Sequence, residues 1–308
     1  MTEIPQPRTG RFVVAVNPCA AFSVKHSSGP RAEARLRGHG VDPVMLQAAD
    51  YQSLERAVDF HVEAGIDALV VVGGDGMVNL GANALAGSGV PLGIVPSGTG
   101  NDVARTLGLP RHGPEAAVDR LMAALASPPR YMDLGLVAQA GGSKYFAAVL
   151  SVGFDAVVNE RANRWTWPRG RSRYVGAMLR ELATFRPVSY RLAVDGQGRR
   201  DVEAMMISVA NGTSLGGGMR ITPDARCDDG LLDLFVVSRL TRLGLLAVFP
   251  KVFSGRHTGH RSVHIQRVSS VSLEAPEASG AVGYADGERV GRLPCVVTVA
   301  PAAMQVLA

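Results

Sequence analysis

The chain is poor in several residue types, and each shortage excludes something. Cysteine occurs three times in 308 residues, as Cys19, Cys227 and Cys295. These are odd in number and far apart, with no CxxC or Cys/His spacing, so neither a disulfide scaffold nor a zinc site is indicated. Charged residues make up 19% and hydrophobic residues 46%, a globular composition and not a disordered one. No apolar run reaches the roughly 18 residues of a membrane span. The nearest, Leu243 to Phe253, is broken by Pro250 and Lys251. The opening MTEIPQPRTGR has no apolar core of a secretory signal. The expectation is a cytoplasmic protein, at most peripheral to a membrane.

Glycine is in excess, at 36 residues, where average usage is roughly 7%. No G-X-Y period runs through these residues, which excludes collagen. The glycines cluster instead. Lys and Arg number 32 against 27 Asp and Glu, a net charge of +5. That balance favours an anionic partner: a nucleotide, a nucleic acid or an acidic membrane surface.

Short apolar runs alternate with helical stretches through the first 130 residues. RFVVAVNP (11–18), DALVVVGGDG (67–76) and PLGIVPSGTGND (91–102) read as strands ending in turns, with helices over 53–64, 77–86 and 113–126. Such alternation predicts βαβ units and a parallel sheet. The pattern then changes. YMDLGLVA, KYFAAVLSVGF, YRLAVDG, DVEAMMISVAN, LLDLFVVS, SVHIQRVSSVSLEA and PCVVTVA are strands with little helix between them. They predict an antiparallel β-sandwich or barrel. Helical interruptions are expected at 160–185 and 241–254. The expected organisation is an α/β domain over 1–130 and a β-sandwich domain over 131–308, whose last strand could return to the first.

Two strand ends carry glycine with a carboxylate: Gly73-Gly74-Asp75-Gly76 and Gly98-Thr99-Gly100-Asn101-Asp102. In parallel α/β sheets ligands bind beyond the carboxyl ends of the strands. Glycine lets the backbone approach a ligand, and a following helix turns its N–H groups and dipole to the same place. Phosphate suits such a site. Asp75 and Asp102 would crowd phosphates unless a cation lay between, which implies Mg²⁺. Thr99 and Asn101 either add hydrogen bonds or cap the helix. The bland alternative is a pair of ordinary strand–helix turns. A GxGxxG fingerprint is absent, since Val103 stands where the third glycine belongs, and so is a Walker A lysine.

VVVGGDGMVN (70–79), PLGIVPSGTGNDVAR (91–105), GGGMRITPDARCDDGLLDLFVV (216–237) and ADGE (285–288) together resemble the soluble lipid kinases. These include bacterial diacylglycerol kinases, sphingosine kinases and ceramide kinases. The resemblance implies an N-terminal α/β domain like that of NAD kinases and phosphofructokinases, followed by a β-sandwich, with ATP held in the cleft between them. It implies transfer of the ATP γ-phosphate to a lipid hydroxyl, most simply that of diacylglycerol. By the same resemblance Asn17, Gly74, Asp75, Gly76, Met77, Val78, Asn79 and Thr99 match nucleotide-binding positions. Asp75, Asp102 and Asp133 match acids that organise Mg²⁺. Asp229 matches a ligand of a structural Mg²⁺, with the carbonyls of Arg226 and Leu231. Glu288 matches the general base, and Asp286 competes with it. Met77 stands where the family has threonine and Leu80 where it has an acid. These departures keep a catalytically weak nucleotide- or lipid-binding protein as an alternative, beside a NAD kinase.

Read without the family, Asp286-Gly287 is also a common solvated hairpin turn, and Asp228-Asp229-Gly230 has the same ambiguity. Residues 161–191 hold eight arginines with Trp165, Trp167 and Tyr174, and Glu181 as the one acid. Arginine with tryptophan suits an anionic lipid surface; the alternative is a solvated basic helix with its rings turned inward. His257, His260 and His264 form a smaller basic patch. No nucleic-acid partner is expected, because the basic residues form no recognisable reading helix. An exposed strand of the β domain would allow a homodimer.

Overall fold

The computed structural model describes residues 11–18, 28–154, 157–158, 161, 165, 176–177, 180–181 and 187–308. Cys19, Trp167, Tyr174 and most of the arginine-rich stretch lie outside them. The chain divides into two compact units. Unit 1 comprises residues up to Met132 together with Ala302–Ala308, and unit 2 is Asp133–Pro301.

Unit 1 is an α/β layer structure. Its sheet is built from β1 (Phe12–Val16), β2 (Val44–Leu46), β3 (Ala68–Gly73), β4 (Leu92–Pro96) and the end of β15 (Cys295–Leu307). Every pairing, in the order β15-β4-β3-β1-β2, is parallel. Strands β1, β3 and β4 are buried along their whole length, which is why each reads as a continuous apolar run and not as an alternation. Helices α1 (Ser28–Gly38) and α5 (Pro114–Leu125) cover one face. Ala32, Leu36, Ala117 and Leu121 pack there on Val14, Val16, Val70 and Val72. Helices α2 (Tyr51–Glu63) and α3 (Asp75–Leu85) lie against each other and against β1 and β3. Helix α2 begins where Asp50 accepts the Ser53 N–H at 2.7 Å, an N-cap.

Helix α1 and strand β2 are not anticipated by the sequence. Helix α1 buries only Gly29, Ala32 and Leu36, too thin an apolar stripe to stand out from its arginines. It is tied to α5 by ion pairs instead, Arg31 to Glu115 at 2.7 Å and Arg35 to Asp119 at 2.6 Å.

Unit 2 is antiparallel. Strand β5 (Arg130–Gln139) pairs with β6 (Gly142–Phe146). Strands β7 (Val149–Gly153), β8 (Val188–Val194) and β10 (Leu232–Ser238) all pair with the long β9 (Arg200–Ala210). Then β10 pairs with β11 (Val263–Val268), β12 (Ser270–Glu274) bridges β8 and β15, and β13 (Val282–Ala285) joins β7 to β14 (Glu288–Arg292). The core takes alternate residues of these strands, among them Leu150, Val152, Tyr190, Leu192, Ile207, Val209, Leu232 and Leu234. Helix α6 (Arg242–Val252) is capped by Thr241, whose Oγ1 accepts the Gly244 N–H.

Two apolar runs expected as single strands are each split. KYFAAVLSVGF becomes β6 and β7, and SVHIQRVSSVSLEA becomes β11 and β12. An aspartate makes each break. Asp286 accepts the N–H groups of Ala147, Ala148 and Val149, and Asp195 accepts those of Ser269 and Ser270. Both aspartates have positive φ, 51° and 49°, and both precede a glycine with positive φ, the backbone of a tight hairpin turn.

Candidate functional site

In unit 1 the loops after β3 and β4 close on each other. Ser97 N–H donates to the Gly73 carbonyl at 2.8 Å, which draws the two strand ends together. A Cβ placed on Gly98 would stand 2.4 Å from Gly74 Cα, and one on Gly74 would stand 3.1 Å from Gly98 Cα. The backbones therefore touch at a distance only glycine permits. The second loop is held by its own asparagine: Asn101 Oδ1 accepts the Gly98 N–H at 3.0 Å and Nδ2 donates to the Gly98 carbonyl at 2.8 Å. Asn101 itself has φ 55°, a left-handed conformation that asparagine tolerates better than most residues. So Asn101 shapes the loop that precedes α4 (Asp102–Thr106) and gives α4 no side-chain cap.

The cap comes from the other loop. Asp75 Oδ1 accepts the N–H groups of Asp102 at 2.7 Å and Val103 at 3.2 Å. Its Oδ2 lies over Gly100, where a Cβ would come within 2.5 Å of it and within 3.5 Å of Asp102 Oδ2. One small backbone patch is thus faced by two carboxylates. Asp102 is buried, with Arg105 at 3.8 Å. Gly74, Asp75 and Gly76 open α3, whose first N–H groups have no acceptor within the helix. Tyr51 Oη donates to the Gly76 carbonyl at 2.9 Å and steadies this turn.

Three expected nucleotide positions turn inward. Met77, Val78 and Asn79 are 1%, 2% and 9% exposed. Met77 packs beneath Gly73, where an added Cβ would meet its Cγ at 2.3 Å. The Met77 and Val78 N–H groups donate to the Gly74 carbonyl. The side chains of Met77 and Val78 belong to the core of unit 1, so at these two positions only the backbone can face a ligand. Asn17 ends β1, with its N–H on the Val72 carbonyl at 3.1 Å.

In unit 2, Asp286 and Glu288 lie on the β13–β14 hairpin but differ in their surroundings. Both carboxylate oxygens of Asp286 are engaged, at 2.7 Å to Ala147 N, 2.9 Å to Ala148 N and 3.1 Å to Val149 N. Glu288 is exposed, opposite Ala285 in the hairpin. These bonds give Asp286 a structural part in the hairpin, which is therefore not a freely solvated turn. Asp286 ties the hairpin to the β6–β7 break.

Asp133 is buried, and its Oδ2 accepts the Gly230 N–H at 2.7 Å. Asp229 accepts the Leu231 N–H at 3.2 Å and lies 3.5 Å from Arg267. Arg226 pairs with Asp228 at 3.2 Å. Among the described residues, no three His, Cys, Asp or Glu side chains gather as a metal cage. Burial pushes the Asp233 carboxyl up to about 6, against the pull of Arg267 and with Asp229 and Asp224 adding to the rise.

Sequence reasoning passes over Asn211. Its Nδ2 donates to the carbonyls of Asp133 at 2.7 Å and Ala147 at 3.0 Å, and its N–H donates to Ala148 at 2.8 Å. One buried amide so joins the Asp133 strand to the segment gripped by Asp286. The Asn-Gly pair at 211–212 was the available signal, but it reads first as a turn. The three histidines do not act together. His257 is buried, donating through Nε2 to the Ile221 carbonyl; its burial pushes the imidazole below its ordinary range. His264 is exposed on β11. Of the arginine-rich stretch, Arg161 pairs with Glu181, and Trp165 packs against Phe154, Val158 and Ala177.

Comparison with known proteins shows which family the chain resembles. Residues 11–137 match the diacylglycerol kinase catalytic domain, and residues 148–308 match the YegS C-terminal NAD kinase beta sandwich-like domain. A diacylglycerol kinase of Mycobacterium tuberculosis is 39% identical over 299 residues, which cover 97% of this chain and 95% of that protein. One from Bacillus subtilis is 27% identical over 66% of this chain and 64% of its own. In fold, a diacylglycerol kinase from Bacillus anthracis superposes with a TM-score of 0.72 at 24% identity, covering 96% of each chain. An NAD kinase from Archaeoglobus fulgidus in complex with ATP reaches 0.52 at 15% identity, over 96% of this chain and 92% of that one. The chain belongs to the diacylglycerol kinase family of lipid kinases.

Proposed function

We propose that this protein transfers the γ-phosphate of ATP to the hydroxyl of a membrane lipid, with diacylglycerol as the acceptor. The observation that carries the reading is the contact of Gly74 with Gly98, which sets Asp75, at the start of α3, and Asp102, at the start of α4, around Gly100. Phosphoryl transfer needs positioned phosphates, charge neutralisation and an oriented nucleophile, and little covalent work from the protein.

In this reading the turn at Gly74–Gly76 and the loop at Thr99–Asn101 hold the phosphates through backbone N–H groups. The donor set at Gly100 is hard carboxylate oxygen, which fits Mg²⁺; Asp75 and Asp102 would hold it. Bound there, Mg²⁺ supplies neutralisation of the charge on the transferring phosphate. Glu288, exposed at its hairpin, takes the proton from the acceptor hydroxyl. The hydroxyl oxygen bonds to the γ-phosphorus as the bond to the β–γ bridging oxygen breaks, leaving ADP. Asp286 holds the hairpin that carries Glu288, and Asn211 holds the strands beneath it. An anionic membrane surface is the place where such an acceptor is met, and the basic balance of the chain is compatible with it.

The test is purified protein with labelled ATP, Mg²⁺ and mixed micelles of diacylglycerol, of other hydroxylated lipids, or of detergent alone with NAD. Labelled phosphatidic acid in the diacylglycerol arm is the expected product. Label on NAD without lipid would replace this reading with NAD kinase activity. No transfer to any acceptor by folded protein would sink both.

A further inference from the structure

We propose that the outward face of α6, in unit 2, is the surface with which the protein lies on an anionic lipid bilayer. The proposal builds on the reading above that the acceptor is a membrane lipid, and it adds the docking element.

Between Arg242 and Lys251 near its two ends, helix α6 is apolar on both sides. Its inner side chains, Leu245 and Phe249, pack against Phe154, Val158 and Ala177, and Val248 is buried. Its outer positions are Leu243, Leu246, Ala247 and Pro250, spaced i, i+3, i+4, i+7, and all four are exposed. Leu243 is 79% and Leu246 43% exposed. A surface helix of a globular protein ordinarily turns charged or polar side chains outward, and one that is apolar all round is buried or lipid-facing. Helix α6 is not buried. Its 11 residues rise about 16 Å, roughly half of a hydrocarbon core, so it is too short to span and suits the interfacial plane.

Charge selects the occupant. From Leu234 to Leu273 the sequence contains no Asp or Glu, while Arg239, Arg242, Lys251, Arg256 and Arg261 fall within it. Lys251, Arg256 and Arg261 are exposed and form no ion pair with another described residue. Exposed leucines flanked by cations that no described acid pairs with match acyl chains beneath anionic headgroups, each cation adding attraction that fades within a Debye length. A second copy of this chain would meet those same cations with its own, which disfavours self-pairing through this face.

The experiment is co-sedimentation of the full chain with phosphatidylcholine vesicles, with and without phosphatidylglycerol. It compares wild type, Leu243→Glu/Leu246→Glu, and Lys251→Ala/Arg256→Ala. Wild type is expected to bind the anionic vesicles preferentially. Each double variant should bind them at least about tenfold more weakly, with an unchanged melting temperature and unchanged turnover of a short-chain diacylglycerol dispersed as monomers. Equal binding to neutral and anionic vesicles, or variants that bind like wild type, would overturn the proposal. So would a dimer that the leucine variant converts to monomer with vesicle binding intact, since the face would then belong to a second copy. Vesicle binding that depends on Leu243 and Leu246 in a protein that phosphorylates no lipid would leave the docking surface standing and remove the kinase reading instead.

Discussion

Asp75 caps the helix that carries Asp102: its Oδ1 takes the Asp102 N–H at 2.7 Å while its Oδ2 lies over Gly100, which Asp102 also faces. Structure and chemistry are separable here because the cap needs an acceptor oxygen and the proposed cation needs a charge. Asp75→Asn keeps an acceptor for α4 and removes the charge. Turnover is expected to fall at least ~100-fold with the melting temperature nearly unchanged. Asp75→Ala should also lose about 1 kcal/mol for the missing cap. Steady-state kinetics beside thermal unfolding read both effects. Full turnover in Asp75→Asn would remove the carboxylate from the phosphate site.

Gly98 permits no side chain, since a Cβ would lie 2.4 Å from Gly74 Cα and 3.0 Å from Gly74 N. The obstacle is backbone, which cannot rotate away. Gly98→Ala must push the β4 loop off the start of α3, at an expected cost of about 1–3 kcal/mol and with a large rise in KM for ATP. Gly198→Ala is the control, because nothing stands within 4 Å of its Cβ position; it should change neither quantity. Denaturant melts and ATP titrations of the two variants make the comparison, and a Gly98→Ala enzyme with wild-type KM would show that the contact is incidental.

The hairpin carboxylates should separate cleanly. Asp286→Ala leaves three N–H groups, of Ala147, Ala148 and Val149, without their acceptor. A loss of roughly 3 kcal/mol in stability is expected, at about 1 kcal/mol for each donor. Glu288→Gln touches no such network and should keep its melting temperature while losing turnover by at least ~100-fold. Asp195→Ala is the internal comparison. It removes the same kind of staple from Ser269 and Ser270, so it should lower stability and spare turnover. An active Glu288→Gln enzyme would exclude that residue as the base.

What the sequence discloses follows from how local each signal is. Strands β1, β3 and β4 and the glycine loops after the latter two are contiguous, and they could be read from runs of a few residues. The role of Asp286 could not, because its partner Ala147 is 139 positions away. The same long-range bonds split KYFAAVLSVGF, which local pattern reads as one strand. Asn211 is 78 positions from Asp133, and its Asn-Gly pair reads first as a turn. Met77 opens the helix expected over 77–86 and matches a nucleotide-binding position by resemblance, but Gly73 leaves room above it, so the side chain drops into the core. Helix α1 stays hidden because ion pairs to α5, and only a thin apolar stripe, hold it.

Those ion pairs give the fold an acid-sensitive seam. Asp119 on α5 accepts hydrogen bonds from Arg35 at 2.6 Å and His39 at 2.7 Å. The Arg35 guanidinium first, and then the His39 ring, pull its carboxyl from 3.8 down to about 2. A carboxyl whose pKa is depressed by folding stabilises the native state above its unfolded pKa, and that contribution is lost as pH falls through the folded value. Between about pH 4 and pH 2 the unfolded chain takes up this proton before the folded one does, so stability drops with acidification. Asp119→Asn removes the titration and the charge. The variant should be less stable than wild type near neutrality, and the gap should narrow as pH falls across that window. The effect is modest, because both partners are partly exposed and salt screens them. Thermal melts of the two proteins at a series of pH values, in low and high salt, measure the gap. A gap that stays constant from pH 6 to pH 2 would show that Asp119 contributes packing and not charge.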